Sequence, residues 1–438
     1  MKRMLPMLLL LLAACGGGNG SVTANTGKET PSNQPSVPER PTPQESPELA
    51  ELHRVAKEAS EKFPELADWD ATVDAMVTTH DGMTELATAG SIAESLRGPF
   101  GKEEEVQWRF LLNDHYETFE DTFGRTPFDR EREHALKMSD QIPVLLQKLG
   151  RHQSLVVFST YLRNEAATRG TIGPLISANR LREITLHRAW LLAELKREDE
   201  ARRELLALMR VLSLLDVDTC LASYGFGVGT YELLVRGLLE SEHPQIITSP
   251  EVSKAVSELG NHLLQAQRKA WRMEFSWSIQ QGLQADENYN NYFGDPVDGI
   301  RELTQALKYQ VEIAEAFSGG PDFANATERS KAVDLADKLD LTDDKSLVFH
   351  WANAACRVAL YDLAWEFYCQ DREQPLLDRK QFVTRKIEEV PELKAVWAEG
   401  QLEIGFDEAT AFGKYHYRDY DEPTFMPMRT IKLQPSTE

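Results

Sequence analysis

Residues 180–215 read RLREITLHRAWLLAELKREDEARRELLALMRVLSLL, and this stretch decides the fold class. Two amphipathic runs flank a charged turn formed by Lys196 to Glu200. Apolar residues recur at helical spacing on both sides of the turn, at Leu192, Leu195, Leu205 and Leu208. Ala189 and Ala201 are small enough to let the two runs approach closely. The pattern predicts two antiparallel helices joined by a short turn.

The sequence around this turn, AWLLAELKREDEA (residues 189–201), resembles the tetratricopeptide repeat signature around its inter-helix turn. Lys196 stands where that family usually has glycine, and Ser213 stands where it usually has a closing proline. The resemblance is confined to residues 180–215, and one such unit cannot bury its apolar face alone. It therefore implies neighbouring helix pairs. An ordinary antiparallel helix hairpin explains the same pattern, and both interpretations stay open.

A second helical pattern lies near the carboxyl end, where residues 347–369 read LVFHWANAACRVALYDLAWEFYC. One apolar stripe passes through Trp351, Ala355, Val358 and Trp365, and another through Ala352, Cys356, Ala359, Leu363 and Phe367. A helix that is apolar on most sides must be surrounded by other helices, so we predict a central helix here. Strand-like alternation is nearly absent before residue 400. We predict an all-α fold, a solenoid or tetratricopeptide-like array of helical hairpins over residues 51–400.

The pattern changes in residues 401–438, where Leu402, Ile404 and Phe406 alternate with less apolar neighbours. Residues 412–418 and 428–433 are rich in strand-favouring types. We predict a short β-rich tail that packs on the last helices. Its aromatic side chains either form a recognition surface or cover the open end of the helical core; they are Phe406, Phe412, Tyr415, Tyr417, Tyr420 and Phe425.

The amino terminus, MKRMLPMLLLLLAAC, has the layout of a signal peptide over residues 1–14: two basic residues, an apolar run and small residues. Residues 12–15, Leu-Ala-Ala-Cys, resemble the lipobox of bacterial lipoproteins. The resemblance implies cleavage before Cys15 and two or three acyl chains on that residue, enough for stable anchoring. Gly16 follows where an Asp tends to retain such proteins at the inner membrane, which favours the outer membrane. A plain secretory signal is the alternative.

Residues 15–50 follow as a lipidated cysteine and a Gly/Pro/Ser-rich segment without aromatic residues, which predicts a disordered tether. The chain carries 48 Lys and Arg against 70 Asp and Glu, a net charge of −22, and the first 50 residues are neutral. The acidic charge therefore belongs to the body. Nucleic-acid partners are excluded by this balance because duplex affinity rests on basic residues that neutralise phosphates.

Common catalytic signatures are missing from the sequence: it contains no H-E-x-x-H, G-x-S-x-G, Ser-x-x-Lys or complete P-loop. The glycines Gly225, Gly227 and Gly229 lack a preceding strand, so they do not predict a dinucleotide loop. We interpret them as permitting close helix packing or a break before Tyr231. No cofactor is predicted.

The acidic segment that follows residue 285 is a weak candidate for a calcium loop, because oxygen side chains recur at alternate positions. These candidate metal ligands are Asp286, Asn288, Asn290, Asp295 and Asp298. Asn291 replaces the invariant glycine of an EF-hand, and Val297 occupies the position of its bidentate glutamate. A polar turn between helices accounts for the same residues, and we favour that interpretation.

Two further patterns are weaker still. The steps Glu131/His134 and Glu240/His243 have the i, i+3 spacing of di-iron ligands, but both lie in polar runs. Three cysteines remain beside Cys15, and their disulfide state is open: Cys220, Cys356 and Cys369. Cys356 and Cys369 are thirteen residues apart, ~20 Å along one helix, which is too far for a disulfide.

These features together predict a lipid-anchored helical protein of the bacterial cell envelope, on the periplasmic face. The absence of a recognised catalytic set favours an interaction or scaffolding module over an enzyme. Its expected partners are the membrane, through the lipidated terminus, and other envelope proteins or peptides. One alternative is a periplasmic hydrolase that uses a carboxylate pair in an acidic cleft. The other is an accessory of a secretion apparatus.

Overall fold

The structure is a computed structural model that describes fifteen segments of the chain. They are residues 46–64, 82–97, 111–112, 119, 123–153, 155, 172–218, 221–241, 243–285, 296–317, 320–338, 347–370, 376–398, 401–416 and 430–433. The predicted signal peptide and nearly all of the predicted tether lie outside these residues. The first helix begins at Pro47, with Ser46 as its N-cap, so regular structure starts inside the range assigned to the tether.

The described residues form helices and one small sheet, which confirms the predicted all-α class with a short carboxyl-terminal β element. The helices are α1 (Pro47–Lys62), α2 (Gly82–Arg97), α3 (Asp129–Met138), α4 (Gln141–Leu149), α5 (Ile172–Glu194), α6 (Glu198–Leu212), α7 (Leu221–Leu239), α8 (Pro244–Ile247), α9 (Pro250–Gln284), α10 (Pro296–Ala316), α11 (Ala326–Lys338), α12 (Leu347–Gln370), α13 (Leu376–Glu389) and α14 (Ala411–His416). The strands are β1 (Leu393–Ala398), β2 (Gln401–Phe406) and β3 (Thr430–Leu433). Within the described residues, no helix combines the length and the apolarity that a membrane crossing requires.

The chain divides into two compact units, and the smaller consists of residues 1–68 and 275–312. In its described part, α1 packs with the end of α9 and most of α10. The His53 ring nitrogen Nε2 lies 2.9 Å from the Ala285 carbonyl oxygen. Ion pairs join Arg301 to Glu48 and Lys308 to Glu51, each at 2.8 Å.

The larger unit consists of residues 69–274 and 313–438 and begins with paired helices. α5 and α6 form the antiparallel hairpin that residues 180–215 predict, and α2, α3, α4 and α8 pack against it. The turn between them is a Schellman motif. The Arg197 N–H donates to the Leu192 carbonyl at 2.8 Å, and the Lys196 N–H donates to the Ala193 carbonyl at 2.9 Å. Lys196 has φ 61°, the left-handed conformation for which glycine is favoured.

Helix α12 is the central helix of the larger unit, as its two apolar stripes predict. Trp351, Cys356 and Trp365 are all buried. α12 runs antiparallel to α9, because Gln267 donates to the Trp351 carbonyl at 2.8 Å while the Trp365 indole donates to the Ser253 carbonyl at 3.4 Å. α7 packs on another side of α12. The core of this unit therefore lies between α7, α9 and α12.

The sheet has the order β1-β2-β3, and both pairs are antiparallel. It begins at Leu393, so its first strand lies before the predicted boundary at residue 400. The strand-favouring residues from Phe412 onward form the short helix α14 up to His416. The strand prediction is wrong there because Phe412 is buried and stacks on Phe349 of α12 at 4.8 Å between ring centroids.

The aromatic side chains of the tail whose burial is described therefore cover the helical core. Phe406 and Phe412 are both buried, as the core-covering interpretation requires. Tyr415 lies in α14, and nothing is described of its side chain. Tyr417, Tyr420 and Phe425 lie outside the described residues.

Candidate functional site

Helices α7, α9 and α12 meet around a partly buried hydroxyl–carboxyl pair in the larger unit. The Tyr231 hydroxyl, on α7, donates to Oδ1 of Asp362, on α12, at 3.3 Å. Gly260 of α9 faces this pair. A Cβ at that position would lie 2.9 Å from the Tyr231 oxygen and 3.4 Å from Asp362 Oδ1. The lack of a side chain at Gly260 is therefore what allows the third helix to come into contact with the pair.

The Asp362 carboxyl titrates far from its ordinary range. Burial raises its pKa from 3.8 to about 7, and the negative charge of Glu366 acts in the same direction. Lys386 and the hydrogen bond from Tyr231 lower the pKa and offset part of that rise. Lys386, on α13, pairs with Glu366 at 3.1 Å. Its positive charge therefore offsets mainly the negative charge of Glu366 rather than that of Asp362. Burial and then the charge of Asp362 raise the pKa of Tyr231 well above its usual value.

A buried ion pair lies beside this site on the same two helices. Arg357 of α12 donates to Oε2 of Glu232, which follows Tyr231 on α7. Burial nevertheless raises the pKa of Glu232 above its ordinary value, because desolvation outweighs the attraction of Arg357. Within the described residues, Oε1 of Glu232 has no hydrogen-bond partner. Burial, together with the charge of Glu232, raises the pKa of Tyr361.

A small cavity adjoins Tyr231 on the side of α9. It measures about 10 Å³ and is lined mainly by apolar side chains, with Thr230, Tyr231 and His262 as its polar residues. Burial lowers the pKa of His262, against the opposing charge of Asp218, so the imidazole is neutral at pH 7. Its Nε2 has no hydrogen-bond partner among the described residues. The volume corresponds to roughly one water molecule.

This arrangement can exchange a proton near neutral pH, because a carboxyl with a pKa of about 7 is partly ionised there. The adjoining cavity has no room for a substrate. Among the described residues, no group of three or more His, Cys, Asp or Glu side chains is placed to hold a metal ion. We therefore describe the Tyr231–Asp362 pair, which is flanked by the partly exposed ion pair of Glu366 and Lys386, as a candidate titrating site of the larger unit.

Two other buried ion pairs hold helices together. Arg188 of α5 binds both carboxylate oxygens of Glu204 on α6, at 2.9 and 2.7 Å. Its third nitrogen donates to the Leu136 carbonyl at 2.9 Å and to the Ser139 hydroxyl, at the end of α3. Arg329 of α11 binds Glu392, just before β1, at 2.8 and 2.9 Å. Both pairs join separate elements.

Most of the predicted site residues lie outside the described part of the chain. This holds for Cys15 and for four of the five candidate calcium ligands, Asp286, Asn288, Asn290 and Asp295. Asp298 lies in the first turn of α10, but nothing is described of its side chain. The calcium-loop hypothesis stays a prediction.

The Glu-x-x-His steps have other partners in the structure. Glu131 pairs with Arg125 at 2.6 Å and accepts the backbone N–H of Phe128 at 2.8 Å. Glu240 pairs with Arg236 at 2.7 Å. These contacts are helix-end and surface contacts of the two glutamates, and the di-iron hypothesis stays a prediction.

The cysteines agree with the sequence-based expectation where they are described. α12 is continuous from Cys356 to Cys369, so the two are ~20 Å apart along one helix. Cys356 is buried, and burial raises the pKa of its thiol. Cys220 lies outside the described residues.

The titrating site escaped the sequence analysis because its members are far apart in the chain. Tyr231 and Asp362 are separated by 131 positions, and helical periodicity carries no information about which helices meet. One signal was present: Asp362 is a carboxylate within the apolar run ALYDLAW of the predicted central helix. A buried acidic residue requires a partner or a raised pKa.

Comparison with known proteins gives no family for this chain. No protein-family model matches it, no curated protein matches it, and no solved structure matches it.

Proposed function

We propose that this protein is a lipid-anchored helical module of the bacterial cell envelope that binds other envelope proteins or peptides. The lipobox-like residues 12–15 support the anchor, and Gly16 supports the outer membrane and its periplasmic face. The tether predicted up to residue 50 would let the acidic body move at some distance from the bilayer. The body would then supply the binding surface.

The observation that carries the interaction role is the construction of the α5–α6 hairpin. Its Schellman turn places Lys196 in the left-handed conformation at the position where tetratricopeptide repeats have glycine. Arg188 joins the two helices to each other and to the end of α3. Side-by-side helix pairs present extended surfaces made from successive helices, which is how helical repeat proteins bind peptides and proteins.

The anchor is tested by growing the source bacterium with an alkyne-labelled fatty acid and measuring the intact mass of the purified protein. We expect the wild type to carry the label and to have the mass of the chain from Cys15 onward plus its acyl chains. The variant Cys15→Ser should carry no label. An unlabelled wild type, or one that retains residues 1–14, would contradict the anchor.

The binding role is tested by placing a photo-reactive amino acid at Arg203, which is exposed on α6, and cross-linking in living cells. Glu258, exposed on α9, is the matched control position. We expect a discrete cross-linked species from position 203 that is absent from position 258. The same pattern from both positions, or none from position 203, would count against a binding surface on the hairpin.

The two alternatives stay predictions. The hydrolase requires a carboxylate pair that a substrate can reach, and neither Asp362 nor Glu366 is among the residues that line the cavity beside Tyr231. The secretion-accessory hypothesis rests on a long apolar helix followed by a β tail, and no contact in the described residues bears on it.

A further inference from the structure

Helices α3 and α4 of the larger unit bury one side and expose the other. They follow each other with only Ser139 and Asp140 between them. Their buried side chains recur at helical spacing, at Ala135, Leu136, Ser139, Ile142, Leu146 and Leu149. The positions opposite, Arg130, Lys137, Val144 and Arg151, recur every seven residues and are all exposed. We call this exposed side, with Phe128, Met138 and Lys148, the basic face.

The basic face carries large apolar side chains in contact with solvent. Phe128, Met138 and Val144 are 50%, 44% and 53% exposed, and they are three of the six large hydrophobic residues described as exposed. Single exposed apolar residues are ordinary on a protein surface, but a concentration within seventeen residues indicates a contact site. The Phe128 ring lies under two guanidinium groups, those of Arg125 at 4.2 Å and Arg130 at 5.4 Å.

The charge of the basic face is opposite to that of the whole chain. Residues 123–153 contain six Lys and Arg against four Asp and Glu, in a protein with a net charge of −22. Of the four carboxylates, Asp129 and Glu131 pair with Arg132 and Arg125. The remaining two, Glu133 and Asp140, are exposed on the same side, three residues after Arg130 and Lys137, so the face carries four cations and two carboxylates and keeps a net positive charge. The cations that face outward are Arg130, Lys137, Lys148 and Arg151.

We propose that the basic face docks on the anionic headgroups of a phospholipid bilayer, with its three apolar side chains at the level of the headgroups. Basic side chains around exposed aromatic and aliphatic residues are the composition of interfacial membrane contacts. The proposal rests on the proposed anchor for its setting, because the anchor would keep the body within reach of a bilayer. It adds a second, reversible contact made by the folded body.

Electrostatic charge distinguishes between the partners that could bind the basic face. A bilayer surface rich in anionic lipid repels an acidic body, so only a locally positive face can approach it. A second copy of the chain is disfavoured, since a two-fold symmetric contact would bring the same four cations against each other. An acidic peptide would also satisfy the cations, and its competition with vesicles is therefore an outcome of the test.

The test uses the chain from residue 15 onward, the mature form under the proposed cleavage, with Cys15→Ser so that no acyl chain contributes. Binding is measured by co-sedimentation with vesicles of phosphatidylcholine alone and with vesicles that contain about one third phosphatidylglycerol. We expect at least tenfold tighter binding to the anionic vesicles, and loss of that binding when salt is raised from about 20 to 200 mM.

Two variants locate the contact. Lys137→Glu with Lys148→Glu should weaken binding to anionic vesicles by at least tenfold. The control, Lys254→Glu with Lys331→Glu, makes the same change in net charge at exposed positions on α9 and α11, and should change binding by less than about twofold. Val144→Trp should strengthen binding severalfold, because a larger aromatic side chain buries more apolar surface at the headgroup level. Circular dichroism checks that each variant keeps its helical content.

Several results would overturn the proposal. Equal losses in both lysine variants would mean that only net charge matters. Equal binding to neutral vesicles would remove the role of the headgroups. If the protein self-associates without vesicles and the Lys137/Lys148 variant does not, the face binds a second copy of the chain. If an acidic peptide binds the face more tightly than the anionic vesicles do, the face binds a peptide. Because no acyl chain is present, these results are independent of whether Cys15 is lipidated in the cell.

Discussion

Two of the places where the larger unit buries charged residues are built differently. At the α5–α6 hairpin, Arg188 uses all three of its nitrogens, and Glu204 accepts hydrogen bonds at both carboxylate oxygens. At the α7–α12 contact, Glu232 uses one oxygen for Arg357 and leaves the other without a hydrogen bond in the described structure. Among the described residues, Asp362 receives the long hydrogen bond from Tyr231 and no other.

The difference shows how hydrogen bonds to a buried charged group affect its pKa. Hydrogen bonds to every polar atom offset the cost of desolvation, and a pair built in this way holds helices in one arrangement. Where compensation is incomplete, the protonated form gains, and the pKa of Glu232 and Asp362 rises. We therefore expect the hairpin pair to hold its helices in one arrangement, and we expect the stability of the α7–α12 contact to depend on pH.

The largest effect is expected from Arg188→Ala. The substitution leaves the Glu204 carboxylate buried without its partner and removes the donor to the Leu136 carbonyl, so we expect a loss of about 3–5 kcal/mol in the free energy of unfolding. Arg236→Ala, which breaks the exposed pair with Glu240, is the control and should cost less than about 0.5 kcal/mol. Urea denaturation measures both. Similar losses in the two variants would mean that the hairpin pair is no better compensated than a surface pair.

The sequence predicted the parts of this comparison that depend on local spacing. The helices α5, α6 and α12 follow from apolar residues that repeat every 3.6 positions, because the burial of one helix face determines that pattern. The strand β1 and the helix α14 were not predicted. Residues 412–416 favour strands by type, but packing of Phe412 on Phe349 overrides that preference.

The sites themselves could be predicted less well. Arg188 and Glu204 lie on adjacent helices, sixteen positions apart, whereas Tyr231 and Asp362 come together only through the packing of distant helices. The basic face was overlooked because its residues read as an ordinary polar helix surface. Its contrast with the rest of the molecule becomes visible only when exposure is known.

A second prediction concerns how closely α7 approaches its neighbours. A Cβ at Gly227 would lie 2.7 Å from a methyl of Val217 and 2.8 Å from one of Leu263. α7 continues unbroken through this position, so the glycine serves close packing and makes no break before Tyr231. We expect Gly227→Ala to cost about 1–3 kcal/mol.

The matched controls for Gly227 lie two residues away on either side. A Cβ at Gly225 or at Gly229 would meet no atom within 4 Å. Each substitution to Ala should therefore raise the stability by up to about 1 kcal/mol, since alanine favours a helix interior over glycine. Thermal melts followed by circular dichroism compare the three. A gain in stability from Gly227→Ala would show that α7 packs less closely against Val217 and Leu263 than the structure indicates.

A third prediction tests the pH dependence of the α7–α12 contact through Asp362→Asn. The pKa of the carboxyl is about 7 in the folded protein and 3.8 without burial, so the native state holds the proton more tightly between these values. The wild type should therefore lose stability as pH rises from about 4 to about 7 and then level off. The variant should lack this loss and be more stable than the wild type by about 1–2 kcal/mol at pH 8.

The measurement for Asp362 is a series of urea titrations across that pH range. Asp334→Asn, an exposed change on α11, is the control and should leave the pH profile of the wild type in place. If the wild type instead gained stability between pH 4 and 7 relative to Asp362→Asn, the carboxyl would be ionised and compensated, and the contrast with the hairpin would disappear.

The smallest effect is expected from Lys196→Gly, which tests whether the turn of the hairpin holds Lys196 in a strained backbone conformation. Lys196 has φ 61°, a conformation that costs a residue with a side chain about 1 kcal/mol relative to glycine. The variant should therefore be more stable by up to about 1 kcal/mol. Lys196→Ala removes the same charge but keeps a Cβ, so it should show no such gain. Equal stabilities of the two variants in thermal melts would show that the turn does not hold Lys196 in the left-handed region.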